Sequence, residues 1–461
     1  MSAHESTTDT IAAISTPPGR GGIGIVRLSG PLAVEIATQL VTLRQPLEHA
    51  HARLADVFDK EGDDATCIDE ALITFFASPN SYTAEDVVEI AAHGSPVVLE
   101  LLLRRALELG ARLADPGEFT QRAFLAGKLD LTQAEAVRDL IDAQTLTQAR
   151  QAASQMGGAL SRRIAPIKQD LLELIALLEA GIDFAEDDLE VTPQVEIAQR
   201  ISALAQPLTA LEASFTRGRI VHDGMSLALV GRPNVGKSSL FNRLVERDRA
   251  IVTATPGTTR DLVTERISLD GIPIELVDTA GLREGIRESL DEAEQLGMKR
   301  SREALSDATL VLVVLDATQP LNDEERELLE GIANRPAIAV LNKCDLMESQ
   351  SREAEIAGVC SLATSALTGD GIPALREQIV KLATGGSQPE AGMLTNLRQH
   401  QAVKTAIGAL ADAANATSGG IPHEMILLDL YRALWALDSL TGQTTPDDVL
   451  NLIFSTFCIG K

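Results

Sequence analysis

The feature that most restricts the fold of this chain is the stretch Gly231-Arg-Pro-Asn-Val-Gly-Lys-Ser238. It matches G-x-x-x-x-G-K-[ST], a pattern whose glycines allow backbone N–H groups to surround phosphates. Lys237 places a cation on the β- and γ-phosphates, and the Ser238 hydroxyl suits Mg²⁺. A strand pattern precedes it (Leu227–Val230) and a helix pattern follows it (Ser239–Leu244), which predicts a phosphate-binding loop between a strand and a helix.

The part of the chain around this loop has the pattern of an α/β domain. From Met225 onward, aliphatic runs alternate with helical segments, which indicates a mainly parallel sheet wrapped by helices. The strand-like runs are Leu227–Val230, Ile274–Val277, Leu310–Leu315 and Ala337–Leu341. The alternation ends near Ala383, and the following Gly385-Gly386-Ser387 stretch is typical of a linker.

Two further motifs follow strand-like runs of the same domain. Asp278-Thr279-Ala280-Gly281 matches D-x-x-G, whose acidic residue can hold Mg²⁺ through water and whose glycine lets a backbone N–H approach the γ-phosphate. Asn342-Lys343-Cys344-Asp345 matches N-K-x-D, and the Asp345 carboxylate can accept from guanine N1–H and the exocyclic amine together. Adenine lacks that donor pair, so these motifs, completed by Ser365-Ala366, predict GTP binding.

The residues expected to respond to the nucleotide lie close to these motifs. The stretch Ile251–Asp261 has the position of a first switch, where a threonine completes Mg²⁺ coordination. Leu282 stands where many GTPases carry a glutamine, and an aliphatic side chain cannot orient water. The water-orienting group is therefore expected in the charged segment Arg283–Arg300, whose alternative interpretation is a solvated loop. Asn234 offers a carbonyl oxygen beside the phosphates, where an extra cation could replace an arginine finger.

The segments that flank the α/β domain have other patterns. Residues 1 to about 125 are mixed, with strands such as Ile23–Ser29 and Ala71–Phe76 and a helix over about Ser95–Leu109. Residues from about 131 to 219, with a break near Pro193, and from about 396 to 452 are helical in pattern. One helix face is marked by aliphatic residues at three- and four-residue spacing: Leu160, Ile164, Ile167, Leu171, Leu174, Ile175 and Leu178.

These patterns predict an α/β domain inserted into a helical one. The 461 residues suffice for about three domains at roughly 150 residues each. The expected divisions are an N-terminal domain (1–125), a first helical part (126–222), the α/β domain (223–384) and a second helical part (385–461).

The charge and the cysteines restrict the class of protein. The chain has 66 Asp plus Glu against 40 Lys plus Arg and a formal net charge of −26, which argues against coating nucleic acid through bulk charge. The four cysteines form no C-x-x-C pair, which argues against a zinc ribbon or a disulfide framework. The first ten residues lack the apolar region of a signal peptide, and no apolar run reaches the 18 or so residues of a membrane span. We therefore expect a soluble, cytoplasmic protein.

With these motifs described, the chain resembles the MnmE (TrmE) family of tRNA-modification GTPases over nearly its whole length. The stretches that carry the resemblance outside the α/β domain are Thr16-Pro-Pro-Gly-Arg-Gly-Gly-Ile-Gly-Ile-Val-Arg27, Ser81–Glu89, Pro116-Gly-Glu-Phe-Thr-Gln-Arg-Ala-Phe124 and Gly127–Ala136. The chain closes with Ile453-Phe-Ser-Thr-Phe-Cys-Ile-Gly-Lys461, which is similar to the family's terminal signature.

The resemblance implies a multidomain α/β and α fold. Its parts are a mixed α+β N-terminal domain that binds tetrahydrofolate and dimerises, a discontinuous helical domain, and an inserted Ras-like P-loop GTPase domain with a mainly parallel sheet. The implied activity is GTP hydrolysis that requires Mg²⁺ and is stimulated by K⁺. With an FAD- and NADH-using MnmG partner, in a heterotetramer, the family adds a carboxymethylaminomethyl-type group to C5 of the wobble uridine of certain tRNAs. The one-carbon unit comes from 5,10-methylene- or 5-formyl-tetrahydrofolate.

The resemblance also assigns residues, motif by motif. Lys237 and the water-orienting Glu294 are the implied catalytic residues. The implied metal ligands are Ser238 and Thr259 for Mg²⁺ and Asn234, Thr253, Thr255 and Thr258 for K⁺. The implied folate contacts are Arg27, Glu89, Lys128 and Lys461. The implied GTP contacts are Asn234, Val235, Gly236, Lys237, Ser238, Ser239, Thr253, Ala254, Thr255, Pro256, Gly257, Thr258, Thr259, Asp278, Thr279, Ala280, Gly281, Asn342, Lys343, Asp345, Ser365 and Ala366.

Two other functions remain open from the residues alone. A ribosome-assembly switch that binds rRNA predicts a basic RNA-binding appendage, whereas the chain after Gly386 is helical in pattern and mostly neutral or acidic. A signalling switch that needs an external activator predicts slow hydrolysis that K⁺ does not change. Cys458 either lies near the one-carbon chemistry as a thiol or packs as a small apolar side chain.

Overall fold

A computed structural model describes residues 9–59, 65–183, 193–245, 264–278, 308–332, 335–347, 359–386, 390–443 and 453–460. The chain divides into two compact units, of which the first holds residues 1–138 and 437–461 and the second holds residues 139–436. Within the described ranges, none of the helices combines the length and the apolar character that a bilayer-spanning segment needs.

The first unit is built on a seven-stranded sheet. Its strands are β1 (Ile11–Ile14), β2 (Gly21–Ser29), β3 (Val41–Leu43), β4 (Ala52–Phe58), β5 (Cys67–Phe76), β6 (Val87–Gly94) and β7 (Arg112–Leu113). Their order across the sheet is β3-β4-β5-β6-β2-β1-β7, and all neighbours are antiparallel except β1 and β7. The two strands predicted in this region are confirmed as parts of β2 and β5.

Two helices cover one face of this sheet, namely α1 (Ala33–Leu40) and α2 (Pro96–Glu108). Helix α2 confirms the helix predicted there, and Gly110 after it has a left-handed φ of 103°, which a glycine adopts without a Cβ clash. Alternate side chains of the strands pack against these helices and form the core: Val26, Leu28, Ile36, Ile90 and Leu102. The intervening side chains of β2 and β6 lie on the opposite face of the sheet.

A smaller core in the first unit joins segments that are distant in the chain. Helix α3 (Glu118–Leu125) and the beginning of α4 (Leu131–Asp142) pack against residues 453–460. The buried residues of this cluster are Leu131, Ala134, Phe454 and Phe457. Burial of the Phe454 and Phe457 rings holds residues 453–460, the last described segment, against α3 and the beginning of α4.

The second unit contains most of the helices: α5 (Leu146–Met156), α6 (Ala159–Asp183), α7 (Gln194–Ala213), α8 (Phe215–Asp223) and α12 (Leu397–Ser418), with α13 (His423–Thr441) continuing into the first unit. All seven aliphatic residues predicted to mark one helix face are buried in α6. Between residues 131 and 183, the stretch predicted to be helical is interrupted twice. Thr145 caps α5 through a hydrogen bond from the Gln148 amide, and Gly158 between α5 and α6 has a left-handed φ of 79°.

The α/β part lies between these helices in the chain. Its strands are β8 (Met225–Val230), β9 (Thr264–Leu269), β10 (Ile272–Asp278), β11 (Leu310–Asp316), β12 (Ala337–Asn342) and β13 (Cys360–Ala363), and its helices are α9 (Lys237–Val245), α10 (Asp323–Ile332) and α11 (Ile372–Thr384). The sheet order is β13-β12-β11-β8-β10-β9, parallel except for the β9–β10 hairpin. All four predicted strands are confirmed. In β11 and β12 nearly every residue is buried, as expected for parallel strands that are covered on both faces.

The helices before and after the α/β part pack together, since α12 lies along α7. The predicted fold class, a mixed N-terminal domain with a discontinuous helical domain and an inserted P-loop domain, is therefore confirmed. Strand β9 was not predicted. Asp270 and Gly271 between β9 and β10 both have positive φ, at 49° and 85°, the geometry of a two-residue hairpin turn with an Asp-Gly signature.

Candidate functional site

The phosphate loop begins where β8 ends and runs into α9, as predicted. Lys237 is the first residue of α9 and is 8% exposed. Its ammonium donates hydrogen bonds to the carbonyl oxygens of Gly231 and Arg232, each at 2.8 Å. A lysine held in this way lies beside the hollow that the loop encloses, which is where the predicted phosphate-binding lysine has to lie.

Two glycines of the loop have no room for a side chain. Gly231 has a φ of 147°, and a Cβ on it would lie 2.2 Å from the carbonyl oxygen of Val314 in β11. Gly236 has a φ of 97°, and a Cβ on it would lie 2.3 Å from the side-chain nitrogen of Asn342. The loop therefore passes close to β11 and β12 and can present backbone N–H groups to phosphates only because these positions are glycine.

Asn342, at the end of β12, joins the predicted base site to the phosphate loop. Its side chain is 2% exposed and donates to the Val235 carbonyl at 2.9 Å. Its side-chain oxygen accepts from the Ala366 amide at 3.0 Å. One buried amide therefore ties the predicted phosphate loop to the predicted base loop.

Lys343 makes a second connection of the same kind. Its ammonium donates to the Asn234 carbonyl at 2.8 Å and to the Asp316 carboxylate at 2.7 Å. The Lys343 backbone is left-handed, with a φ of 67°. This conformation is unfavourable for a residue other than glycine, so it persists only where surrounding contacts stabilise it.

Two residues that support the site were missed by the sequence analysis. Asp316 ends β11; burial acts to raise its pKa, but hydrogen bonds from Lys343 and Thr318 lower it below its usual value, so the carboxylate stays charged. Arg243 of α9 donates to the carbonyls of Ala366 and Leu367 at 3.1 and 2.5 Å, which holds the base loop. An acidic residue at the carboxyl end of a strand was the available signal for Asp316; nothing local marked Arg243.

The other predicted nucleotide contacts fall at the same edge of the sheet. Asp278 ends β10, Asp345 lies on the exposed turn after β12, and Ser365 follows β13 with no exposed surface. Ser238, Ser239 and the side chain of Asn234 are exposed at the mouth of the loop. The remaining predicted contacts lie outside the described residues: Thr253, Ala254, Thr255, Pro256, Gly257, Thr258, Thr259, Thr279, Ala280, Gly281 and Glu294.

In the first unit, the structure brings together two of the four predicted folate contacts. Arg27 of β2 and Glu89 of β6 are paired in register across the sheet. The Arg27 guanidinium donates to Glu89 Oε1 through Nε at 2.9 Å and through Nη2 at 2.7 Å. Lys128 makes a different contact, since its ammonium donates to the Pro79 carbonyl at 3.0 Å. Lys461 lies outside the described residues.

The surroundings of Arg27 contain further residues that the sequence analysis did not single out. Its guanidinium lies 5.5 Å from the centre of the Phe119 ring and donates to the Gly460 carbonyl through Nη1 at 3.2 Å. The Tyr82 hydroxyl and the Thr120 hydroxyl are 2.9 Å apart, and burial raises the Tyr82 pKa. These groups form a polar, partly buried region around a cation–carboxylate pair.

The Pro116–Phe124 stretch contributes a structural network rather than an open site. Arg122 of α3 is 4% exposed and pairs with Asp9 at 2.9 Å, Glu85 at 3.1 Å and Glu118 at 2.9 Å. A buried guanidinium needs such partners. The network holds α3, which carries Phe119, beside β1.

Comparison with known proteins finds relatives over nearly the full length of the chain. The model of the GTP-binding protein TrmE N-terminus matches residues 10–128, and the model of the MnmE helical domain matches residues 131–458. The tRNA modification GTPase MnmE of Koribacter versatilis is 56% identical over 458 residues, which cover 98% of this chain and 99% of that protein. The MnmE protein of Thermotoga maritima is 40% identical over 462 residues, covering 98% of this chain and all of that protein (100%).

Two solved structures are similar to part of the chain. The G domain of the T. maritima FeoB iron transporter is 31% identical and covers 34% of this chain and 98% of that chain, with a TM-score of 0.27. Aquifex aeolicus Era bound to GDP and aluminium fluoride is 25% identical and covers 40% of this chain and 66% of that chain, with a TM-score of 0.29. The family assignment rests on the full-length relatives and the two family models: the chain belongs to the MnmE family of tRNA modification GTPases.

Proposed function

We propose that this GTPase is stimulated by K⁺ and, with an FAD-dependent MnmG-type partner, adds a carboxymethylaminomethyl-type group to C5 of the wobble uridine of certain tRNAs. A tetrahydrofolate derivative supplies the one-carbon unit. The observation that carries the proposal is that one chain contains a phosphate and guanine site tied together by Asn342 and, in its first unit, the Arg27–Glu89 pair.

The nucleotide half of the proposal is supported by the chemistry of the loop. Lys237 is held over the phosphate hollow by two carbonyls, and Ser238 presents a hydroxyl at its exposed mouth, as a Mg²⁺ ligand must. In the proposed site Thr259 is the second protein ligand of Mg²⁺. Asn234 with Thr253, Thr255 and Thr258 holds K⁺, which supplies charge stabilisation beside the phosphates, and Glu294 orients the water.

The folate half is supported by a charge pair at a partly buried position. The side chains of Arg27 and Glu89 are 16% and 25% exposed, so each keeps some surface that a ligand can contact. Folate carries carboxylates on its glutamate tail and N–H donors on its pterin ring. Arg27, Lys128 and Lys461 suit the carboxylates, and Glu89 suits the pterin donors.

The sheet face that carries Arg27 also supports a homodimer. An apolar row crosses four strands in register on this face: Leu54, Leu72, Ala91 and Ile25. Leu54 is 40% and Leu72 is 50% exposed, whereas the other face of the sheet is covered by α1 and α2. A second copy of the chain would bury this row.

The domain limits, the partner and the compartment complete the proposal. The folate and dimerisation domain spans residues 1–125, the helical domain 126–222 and 385–461, and the GTPase domain 223–384. With a net charge of −26, the chain is a poor autonomous RNA binder, so the partner subunit, or a local basic face at the shared interface, carries most of the tRNA phosphate contact. The complex is expected to be a cytoplasmic heterotetramer.

Mass spectrometry of wobble uridines in tRNA from cells that lack this protein tests the function. We expect the C5 modification to disappear and to return with the wild-type chain. Two single substitutions separate the sites: neither Lys237→Ala nor Arg27→Ala should restore it, and Arg27→Ala should keep GTP affinity. A normal wobble uridine in the deletion strain would refute the proposal.

A further inference from the structure

The segment Cys458-Ile459-Gly460, called the tail segment below, is held against the first unit by the chain itself. The Gly460 carbonyl accepts two hydrogen bonds, one from the Ser15 hydroxyl at 3.1 Å and one from Arg27 Nη1 at 3.2 Å. A carbonyl oxygen has two lone pairs, so both acceptor positions are used. The Gly117 amide donates to the Cys458 carbonyl at 3.3 Å.

Two glycines make this close approach possible. A Cβ on Gly460, whose φ is 93°, would lie 2.8 Å from the Ile14 carbonyl oxygen and 2.9 Å from the Ser15 Cα. A Cβ on Gly117, whose φ is 70°, would lie 2.6 Å from the Phe454 carbonyl oxygen. Real Cβ atoms do not approach other atoms so closely, so each side of this contact requires a glycine.

The tail segment is also anchored by the residues that precede it. Phe454 and Phe457 are 1% and 5% exposed and pack on Leu131 and Ala134. This apolar anchor fixes where the tail segment starts, whereas Ser15 and Arg27 fix where Gly460 lies. The next residue along the chain is Lys461.

Arg27 has two tasks in this arrangement. Its Nε and Nη2 atoms donate to Glu89, while Nη1 donates to the Gly460 carbonyl. A guanidinium can serve both because its donors form a rigid planar fork. If a ligand carboxylate accepts hydrogen bonds from Arg27 in place of the Gly460 carbonyl, the Ser15 hydroxyl still donates to that carbonyl and holds Gly460.

We infer that Ser15 is a positioning residue of the folate site: with Arg27 it holds the Gly460 carbonyl and so orders the tail segment beside the Arg27–Glu89 pair before a ligand binds. The inference rests on the proposed folate function. Its energetic basis is preorganisation, because a tail segment that is already ordered loses less conformational entropy when the ligand binds. Ser15 itself need not touch the ligand.

Hydrogen exchange and folate binding on the full-length protein test this inference together. For Ser15→Ala we expect faster amide exchange in the peptide that covers residues 453–461 and a Kd for 5-formyl-tetrahydrofolate about 3- to 10-fold higher, the loss typical of one hydrogen bond. Ser15→Thr keeps the hydroxyl and should restore both values. Wild-type exchange and wild-type Kd in Ser15→Ala would overturn the inference.

A neighbouring hydroxyl provides the matched control. Thr16 accepts a hydrogen bond from the Ile25 amide at 3.2 Å, which belongs to the β1–β2 connection and not to the tail segment. Thr16→Ala should therefore leave exchange in residues 453–461 at the wild-type rate, and equal acceleration in both variants would refute a specific role of Ser15. If the wild-type protein fails to bind reduced folate, the proposed function fails, while exchange in Ser15→Ala still decides whether Ser15 holds the tail segment.

Discussion

The side-chain nitrogen of Asn342 lies 2.9 Å from the carbonyl oxygen of Val235, which ties the guanine motif to the phosphate loop inside the protein. The same side chain accepts from the Ala366 amide at 3.0 Å. The two halves of the nucleotide site therefore depend on one buried amide. A change at Asn342 should disturb both halves, because its side chain is bonded to a residue of each.

Asn342→Ala is expected to weaken GTP binding by about tenfold or more. The substitution leaves the Val235 carbonyl and the Ala366 amide without their partner, and each buried orphan costs about 1–3 kcal/mol. Titration with a fluorescent GTP analogue measures the affinity. Asn322→Ala is the control, because Asn322 accepts from the Glu325 amide at the start of α10 and should affect stability without changing GTP affinity. Unchanged GTP affinity in Asn342→Ala would contradict this role.

Replacing K⁺ with Na⁺ at constant ionic strength should depress GTP turnover by on the order of tenfold or more. The reason is that the proposed site uses a cation of fitting size where other GTPases use an arginine finger, a charge worth several orders of magnitude in rate. Steady-state phosphate release in the two salts is the measurement. Equal rates would remove the cation mechanism and favour a switch that needs an external activator.

We expect His222 to make the folded state less stable as the pH rises through the alkaline range. Its ring is 3.1 Å from Asp139 and 2.6 Å from Asp223, and these hydrogen bonds outweigh burial and raise the pKa of His222 to about 10. The contribution is fully present below the unfolded pKa of about 6.5 and is lost as the pH rises toward about 10. The Tm of the wild type should therefore fall more than that of His222→Gln over this window. Parallel Tm curves for the two proteins would show that the ion pairs do not stabilise the fold.

Removal of Lys461 should weaken reduced-folate binding and leave GTP affinity unchanged. The proposed role of Lys461 is to attract a folate carboxylate, and a charge-assisted contact of this kind is worth about 1.5–3 kcal/mol, or roughly 10- to 150-fold in Kd. Calorimetric titrations with 5-formyl-tetrahydrofolate and with GTP measure the two affinities on the same preparation. A folate Kd that does not change would remove Lys461 from the site.

The parts of the fold that follow from local pattern were predicted from the sequence. The phosphate loop, the strands around it and the buried face of α6 each have a short-range signature of glycines, aliphatic runs or helical spacing. The edge strand β9 has no such run, since Thr264-Glu265-Arg266 opens it with polar residues. Its only local signal was the Asp270-Gly271 turn.

The parts of the site that were missed depend on pairs distant in sequence. Arg27 and Gly460 are 433 residues apart, and Arg243 and Ala366 are 123 apart, so no spacing rule connects them. Which carbonyl a surface arginine reaches is decided by packing between elements, which a single sequence does not express. Asp316 is an intermediate case, because its position at a strand end was visible but its partner Lys343 was not.

The most direct test of the central claim is reconstitution with a labelled one-carbon unit. The purified chain and its FAD-dependent MnmG-type partner are combined with substrate tRNA, GTP, Mg²⁺, K⁺, NADH, a nitrogen donor (glycine or ammonium in parallel reactions) and tetrahydrofolate that carries a ¹³C one-carbon group. The mass of the wobble uridine is then measured by mass spectrometry. We expect the label at C5 of that uridine with GTP, and not with a non-hydrolysable analogue or with Lys237→Ala. Unlabelled product, or equal labelling when GTP cannot be hydrolysed, would contradict it.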